Sequence, residues 1–339
     1  MKYAGALMDI LVTPDVNLAK TLFSNASARL WNSFDYLLET NKLTHYPFSS
    51  LINKFQDHPK APPFFFAAHH LILGFCTHRK DIDRSLALQI LSMDNYSHNE
   101  NLSILPFLKS PDLQELTYQK TILSDINATY ENDQFLPVAF DSPEKHKPTK
   151  LTIESALTII KASNPALYDE IAFIINEIRI FQSGNIRAGS NFNTLGLIYI
   201  GQAIVGDNVS RFIEHVVHEA AHNLLYAHWT ADPIFTNHND TLYFTPFRHD
   251  TRPLSAIFHA MFVLARTIYV FDSVHRNLPH TLDFSNIRTN YNERGNTASF
   301  KIKFFQTAEI VSKNAELTVY GRKIFEGCVE MVKRCELNI

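Results

Sequence analysis

Residues 208–229, NVSRFIEHVVHEAAHNLLYAHW, decide how the rest of this chain is interpreted. Apolar residues recur through the segment at helical spacing, which predicts a helix with broad apolar coverage. Within it, His218, Glu219 and His222 form the pattern H-E-x-x-H. Positions i and i+4 of a helix lie one above the other, so the two imidazoles can bind one metal ion with Glu219 beside it. The segment therefore predicts a metal site on a helix.

A polar stripe runs along the same predicted helix and has an unusual composition. Its members are Arg211, Glu214, His215, His218, Glu219, His222, Asn223 and Tyr226. A solvated helix face consists mainly of Lys, Glu and Arg, whereas histidine recurs in this stripe. We interpret the stripe as one wall of a cleft.

Length and composition indicate a folded protein without a polyanionic partner. The chain has 339 residues, 45% of them hydrophobic, and a net charge of −3. It can bury a substantial core, in two domains or in one elaborated domain. The lack of a basic stripe or a polybasic patch argues against nucleic acid and membrane surfaces as partners. The favoured partner is a small molecule or a peptide.

Cysteine content and apolar segments favour a reducing compartment. Cys76, Cys328 and Cys335 form no C-x-x-C pair, which argues against a disulfide framework and a cysteine-based zinc module. The apolar run near the N-terminus is interrupted by Asp9 and is too weak for a signal peptide. We find no uninterrupted apolar segment of the length of a bilayer span. We therefore expect a cytoplasmic location and no membrane partner.

The sequence predicts an α+β protein that is predominantly helical and has one boundary in its middle. Residues 1–132 show mostly helical periodicity, and the polar segment 141–150, DSPEKHKPTK, is the best linker candidate. We predict an N-terminal helical domain over residues 1–145 and a catalytic domain over residues 146–339. The H-E-x-x-H helix belongs to the second of these.

The second predicted domain contains further elements. They are helices at residues 153–162, 165–181, 254–271, 299–312 and 318–336, and a strand at residues 195–200. The strand directly precedes the H-E-x-x-H helix. An edge strand beside the metal of a zinc-protease-like fold pairs with an extended substrate peptide, so this strand has either that role or a purely structural one.

Two histidines do not complete a metal site, so the third ligand has to be found. His228 has the spacing of H-E-x-x-H-x-x-G-x-x-H, but Leu225 stands at the glycine position, so the helix should continue and direct His228 elsewhere. His215 lies about 10 Å from His222 along the helix axis, too far for one shared ion.

The downstream sequence leaves one histidine as the favoured third ligand. Thermolysin-type peptidases use a downstream glutamate, but no Glu occurs in residues 223–292. His259 lies on the next predicted helix, which can cross the first one and direct an imidazole inward. Taken alone, a histidine on a buried helix is more often a hydrogen-bonded core residue.

Two arginines, Arg248 and Arg252, directly precede the helix of His259. A guanidinium group matches the geometry of a carboxylate, so a pair beside a metal indicates an acidic small molecule or an acidic peptide group. A surface salt bridge or a helix cap explains the same residues equally well.

Several separated segments resemble the HExxH-motif peptide-modification proteins that accompany clusters for ribosomally synthesised peptides. They are SALTIIKASNPALYDEI, TLGLIYIG, EHVVHEAAHNLL and RHDTRPLSAIFHAMFVLAR, all within residues 151–271, with a weaker similarity at NAELTVYGRKIFEG. The fourth segment resembles the pattern R-x-D-x-R-P-L-x-G-x-x-H-G-x-x-x-x-x-R. It departs from that pattern at Ala256 and Ala260, where glycine is expected.

The resemblance implies a zincin-like core that uses iron and 2-oxoglutarate to hydroxylate β-carbons of a precursor peptide. It implies that Fe(II) is held by His218, His222 and His259, with open positions for 2-oxoglutarate and dioxygen. It also implies that Arg252 or Arg248 binds the distal carboxylate of 2-oxoglutarate. The keto acid would be converted to succinate and carbon dioxide.

Two other function classes stay open. A zinc metallopeptidase would use the same histidines, with Glu219 removing a proton from metal-bound water. A binding protein with a degenerate site would bind peptide without turnover. In the oxygenase, Glu219 would orient a ligand or contact the substrate. Imidazole binds both iron and zinc, so the ligand type does not choose between the metals.

Overall fold

The structure is a computed structural model that describes residues 11–129, 140, 142–182, 186–238, 241–245, 250–284, 287 and 298–339. The helices of these residues are α1 (Val16–Thr40), α2 (Pro47–Phe55), α3 (Pro63–Cys76), α4 (Arg84–Leu91), α5 (Leu113–Thr129), α6 (Lys147–Ser163), α7 (Pro165–Ile174), α8 (Val209–Ala231), α9 (Leu254–Asn277), α10 (Phe300–Asn314) and α11 (Val319–Arg334). The strands are β1 (Ser103–Pro106), β2 (Glu177–Phe181), β3 (Ala188–Ser190), β4 (Leu197–Gly201), β5 (Leu242–Thr245) and β6 (Asp250–Pro253). The prediction of a mainly helical α+β chain with a small sheet is confirmed.

The chain forms two compact units, each made of separate stretches of sequence. The H-E-x-x-H unit comprises the described residues within 1–18, 151–171 and 204–339, and the sheet unit comprises those within 19–150 and 172–203. The chain thus passes repeatedly between the units, whereas the sequence predicts one boundary near residue 145. The pairing of β2 with β1 explains the difference, because it joins residues from the two halves of the sequence. Linker composition carries no information about such long-range pairing.

The helices of the sheet unit bury an aromatic core. Its central members are Trp31, Phe34, Phe48, Phe64 and Phe65, all buried. Trp31 meets Phe65 edge to face at a centroid distance of 5.0 Å, and Phe34 meets Phe48 in the same way at 5.7 Å. Such pairs add to the stabilisation from apolar burial. The helical periodicity predicted for this region is confirmed over α1 to α5.

The larger sheet has the strand order β1-β2-β4-β3 and lies in the sheet unit. Its first three strands are parallel, and β3 pairs antiparallel with β4. Every residue of β2 and β4 is buried, as expected for parallel strands inside a protein. The strand predicted before the H-E-x-x-H helix is therefore confirmed as β4. Its possible role as an edge strand for substrate is wrong, because neighbours occupy both of its sides.

The helix predicted over residues 165–181 consists of two elements. α7 ends at Ile174, and residues 177–181 form β2. Ile178 and Ile180 continue the helical spacing of α7, yet both pair with neighbouring strands. A short apolar run that is buried on all sides has the same periodicity in a helix and in a strand. The long-range partner decides between them.

In the H-E-x-x-H unit, α9 packs against α8, α10 and α11. The predicted helix at residues 254–271 is confirmed and extends to Asn277. The two predicted C-terminal helices are also confirmed, with Ser299 and Thr318 as N-caps whose side chains accept backbone hydrogen bonds. The hairpin formed by β5 and β6 leads directly into α9 and packs against it.

Helix α9 is long and apolar enough, by length and composition, to cross a membrane. This differs from the expectation that no segment reaches that length, because polar residues such as Arg266 interrupt the run without breaking the helix. Most of the apolar stretch of α9 is buried inside the protein, and buried core helices reach the same length and apolar composition. The cytoplasmic location stays a prediction.

Candidate metal centre

Helix α8 forms where the sequence predicts it and leaves a narrow open stripe. Asn208 caps its first turn by accepting a hydrogen bond from the backbone N–H of Arg211. Within residues 211–228, the partly exposed side chains are His218, His222 and Tyr226, spaced four residues apart. The predicted cleft wall is therefore shorter than the whole polar stripe. Its other members are buried, namely Arg211, Glu214, His215, Glu219 and Asn223.

The histidine of the following helix meets the H-E-x-x-H pair. Nδ1 of His259 lies 2.8 Å from Nδ1 of His222, and their ring centroids are 5.0 Å apart. The rings of His218 and His222 are also separated by 5.0 Å between centroids. Trp229 stacks on the ring of His259 at 5.3 Å and so fixes its orientation. The structure thus brings His259 into direct contact with His222. The ring of His218, the other predicted ligand, neighbours that of His222.

The distances among the three histidines allow a test of their fit to an ion. Among the residues that the structure describes, no three His, Cys, Asp or Glu side chains are placed to hold one ion together. Ligand nitrogens lie about 2.1 Å from a zinc ion, which puts two of them roughly 3.4 Å apart in tetrahedral geometry. Because the His222 and His259 nitrogens are 2.8 Å apart, they need to separate by about half an ångström. The donor types fit a transition metal, and binding through both nitrogens also requires that neither Nδ1 keeps the proton of their present hydrogen bond.

His259 is held in its neutral form. Burial, and then repulsion from His218 when that ring is protonated, lower the pKa of His259 to about 3. A neutral imidazole has one nitrogen lone pair that can bind a proton, a hydrogen-bond donor or a metal ion. At neutral pH, His259 therefore has the electronic form that a metal ligand needs.

His218 is oriented by a buried carboxylate on its own helix. Its Nδ1 lies 3.2 Å from Oε1 of Glu214, and Nδ1 of His215 lies 2.9 Å from Oε2. Burial alone would raise the pKa of Glu214, but hydrogen bonds from His215 and His218 hold it well below its usual range. Carboxylate contacts of this kind orient metal-binding histidines in proteins.

The histidines rejected as ligands from the sequence have other contacts. His215 is bound to Glu214, as described. His228 is fully buried, and its Nδ1 lies 2.6 Å from Oη of Tyr320. Burial, followed by the charge of Arg266, lowers the pKa of His228 to about 3. The prediction that the helix continues and directs His228 away from the site is confirmed.

Arg252 already has a carboxylate partner within its own hairpin. Its Nε and Nη2 atoms both lie 2.9 Å from Oδ2 of Asp250, and both side chains are partly exposed. Of the two interpretations, the structure displays the salt bridge, and the binding of an external carboxylate stays a prediction. Arg248 lies outside the described residues, so its predicted role stays a prediction as well.

Sequence reasoning missed the supporting role of Glu214 and treated His215 only as a ligand candidate. The signal was present in the spacing, because Asp207, Arg211 and His215 are four residues apart, as are Glu214 and His218. Side chains at this spacing meet on a helix. Glu219 is buried beside His218, and its backbone oxygen accepts a hydrogen bond from Nδ2 of Asn223.

The meeting of α8 and α9 at His222 and His259 is the feature of this unit on which a functional argument can be built. Comparisons with models of known protein families and with curated proteins find no match for this chain.

Proposed function

We propose that this chain is an Fe(II)- and 2-oxoglutarate-dependent oxygenase that hydroxylates β-carbons of a ribosomally synthesised precursor peptide. The observation that carries the proposal is the 2.8 Å contact between Nδ1 of His222 and Nδ1 of His259. It supplies a histidine from the following helix to the H-E-x-x-H pair. The core built around this pair would be zincin-like in its use of the motif and distinct in its third ligand.

In this proposal, His218, His222 and His259 hold the metal ion. When bound, Fe(II) would supply open coordination positions for the keto acid and dioxygen and so permit oxidation of an unactivated carbon. The protein contributes orientation and protonation state. Glu214 holds the ring of His218, Trp229 holds that of His259, and burial keeps His259 neutral.

The proposed keto-acid site uses the arginines before α9. Arg252 would bind the distal carboxylate of 2-oxoglutarate through its guanidinium fork. Asp250 holds that fork in place from one side, which limits its freedom but leaves it partly exposed. Arg248 is the second candidate for this contact. Binding would be electrostatic and directional, because a guanidinium group remains charged at all working pH values.

A zinc metallopeptidase is the second candidate, and the position of Glu219 favours it. This residue is buried and directly follows His218 on α8. In a peptidase its carboxylate would take a proton from a metal-bound water molecule. A protein that binds peptide without turnover is the third candidate.

One set of measurements separates these functions. The protein is purified without oxygen, its metal content is determined, and it is then incubated with Fe(II), 2-oxoglutarate, oxygen and short peptides encoded beside its gene. We expect succinate together with a peptide that has gained one oxygen atom. Full occupancy by zinc together with hydrolysed peptide would overturn the oxygenase proposal, and no turnover with either metal would favour a binding protein.

The Glu219→Gln variant is the matched comparison in this experiment. It keeps the size of the side chain and removes the proton acceptor. A peptidase should lose its activity, because the general base is gone, whereas an oxygenase should retain part of its succinate formation. Complete loss of hydrolysis in this variant, with hydrolysis in the parent protein, would establish the second candidate.

A further inference from the structure

A buried chain of polar contacts leads from the start of α8 to His218. Nη1 of Arg211 lies 3.2 Å from Oδ1 of Asp207, and Nε of Arg211 donates to Nε2 of His215 at 3.3 Å. His215 then contacts Glu214, and Glu214 contacts His218 at the distances given above. Arg211, Glu214 and His215 are all buried. The chain therefore reaches the candidate metal centre through the protein interior.

The donor at the start of this chain determines where the proton of His215 resides. A guanidinium group has hydrogen-bond donors and no acceptor. Because Arg211 donates to Nε2 of His215, that nitrogen must carry the lone pair, and the proton of the neutral ring is on Nδ1. Nδ1 lies 2.9 Å from Oε2 of Glu214, so its proton interacts favourably with the carboxylate.

The same reasoning continues to His218. An ionised carboxylate only accepts hydrogen bonds, so Nδ1 of His218 must carry a proton to bond with Oε1 of Glu214. The lone pair of the neutral His218 ring is then on Nε2. A metal ion bound by this ring would use that lone pair.

A buried cation, Lys303, interacts electrostatically with Glu214. Lys303 on α10 is buried, and it lies close enough for the charge of Glu214 to act on its ammonium group. Burial lowers the pKa of Lys303 to about 8, and the Glu214 charge opposes that decrease. Glu214 thus has a cation nearby and an imidazole nitrogen beside each of its carboxylate oxygens.

We infer that Glu214 is a positioning residue that fixes His218 as the Nδ1–H tautomer and so presents Nε2 to the metal ion. The inference rests on the proposed function only in requiring that the three histidines bind a metal. According to this inference, the direction of the hydrogen bonds that lead to Glu214 is set by Asp207, Arg211 and His215.

The experiment compares two buried glutamates of the same unit by substituting each with glutamine. Glu214→Gln removes the charge at the centre, and Glu170→Gln removes the charge from a buried ion pair with Arg266 elsewhere. The affinity for Co(II) and for Fe(II), the latter without oxygen, is measured by competition with a chelator. We expect Glu214→Gln to weaken binding about 10–100-fold and Glu170→Gln to leave it unchanged. Glu214→Asp, which keeps the charge on a shorter side chain, should recover part of the loss.

Equal affinity in Glu214→Gln and the parent protein would overturn the inference and leave the proposed function intact. An equal loss in both glutamine variants would also overturn it, because general destabilisation would then be the cause. A parent protein that binds neither metal would instead overturn the proposed function.

The tautomer of His218 can be measured without any metal and without any variant. Nitrogen NMR of histidine-labelled, metal-free protein distinguishes Nδ1–H from Nε2–H rings. We expect an Nδ1–H ring for His218, and an Nε2–H ring would overturn the inference. This measurement applies even where Glu214→Gln fails to fold.

Discussion

Two buried carboxylates of the H-E-x-x-H unit, Glu170 and Glu214, have different partners. Glu170 on α7 accepts a hydrogen bond from Nη2 of Arg266 and another, at 2.9 Å, from the backbone N–H of Asp15. Arg266 also donates to the backbone oxygen of Val12 at 2.7 Å. This region joins three segments of the chain through contacts whose donors and acceptors face one another.

Glu214 differs because its direct partners are imidazole rings. Burial raises the pKa of Glu170, opposed by the charge of Arg266, whereas the pKa of Glu214 is lowered by its two histidines against the effect of burial. Each imidazole that donates one nitrogen to a carboxylate retains a second nitrogen pointing elsewhere. The type of partner thus distinguishes Glu170, which joins segments of the chain, from Glu214, which contacts a predicted metal ligand.

The strongest test of this contrast is the loss of the third histidine. His259→Ala should abolish metal binding nearly as completely as His218→Ala, and by more than the 10–100-fold expected for an outer contact such as Glu214. Metal content after dialysis and chelator competition measure the effect. Retention of full metal content by His259→Ala would remove this residue from the ligand set.

The second prediction concerns the buried ion pair of Arg266 with Glu170, which lies apart from the candidate metal centre. Arg266→Met should lower the free energy of unfolding by about 3–5 kcal/mol, because it leaves the charge of Glu170 buried without its cation. Urea unfolding measures the change, and metal affinity should stay that of the parent protein. The double variant Arg266→Met with Glu170→Gln should regain part of the stability. A loss of metal affinity in the folded single variant would contradict the separation of the two regions.

The expected effect at Arg252 is of intermediate size, because the salt bridge of this residue with Asp250 is partly exposed. Arg252→Ala should weaken the apparent affinity for 2-oxoglutarate by about 1.5–3 kcal/mol, the contribution of hydrogen bonds to a charged group. Succinate formation at increasing 2-oxoglutarate concentration measures it, with Asp250→Asn as the variant that retains the arginine. An unchanged dependence on the keto acid would exclude Arg252 from that role.

The smallest effect at neutral pH concerns His228, which is buried on α8 and contacts Tyr320 rather than Glu214. Its pKa is about 3 in the folded protein and about 6.5 when unfolded, so the unfolded state binds more protons between these values. Stability from this residue is therefore present above pH 6.5 and is lost as the pH falls towards 3, by at most about 1.4 kcal/mol per pH unit. His228→Gln should make the decrease shallower in urea unfolding of the metal-free protein. An unchanged slope would show that His228 does not titrate in this way.

The elements of the candidate centre follow from local sequence patterns, whereas their supporting contacts do not. The H-E-x-x-H spacing and the apolar periodicity of residues 209–231 predict α8, and Ser299 and Thr318 mark the starts of later helices. The contact between His222 and His259 requires knowledge of how α8 crosses α9, so the sequence provides only candidates for it. β2 was missed for the same reason, because its pairing partner β1 lies far away in the chain.

The contact between α8 and α9 has a consequence for the chain that connects them. A metal ion shared by His222 and His259 would act as a cross-link and close a loop that contains the β5–β6 hairpin and Arg252. Closing a loop restricts the conformations open to the chain inside it. Loading the metal should therefore slow amide hydrogen exchange in the hairpin. In the proposed function, the metal would then restrict Arg252 before 2-oxoglutarate binds.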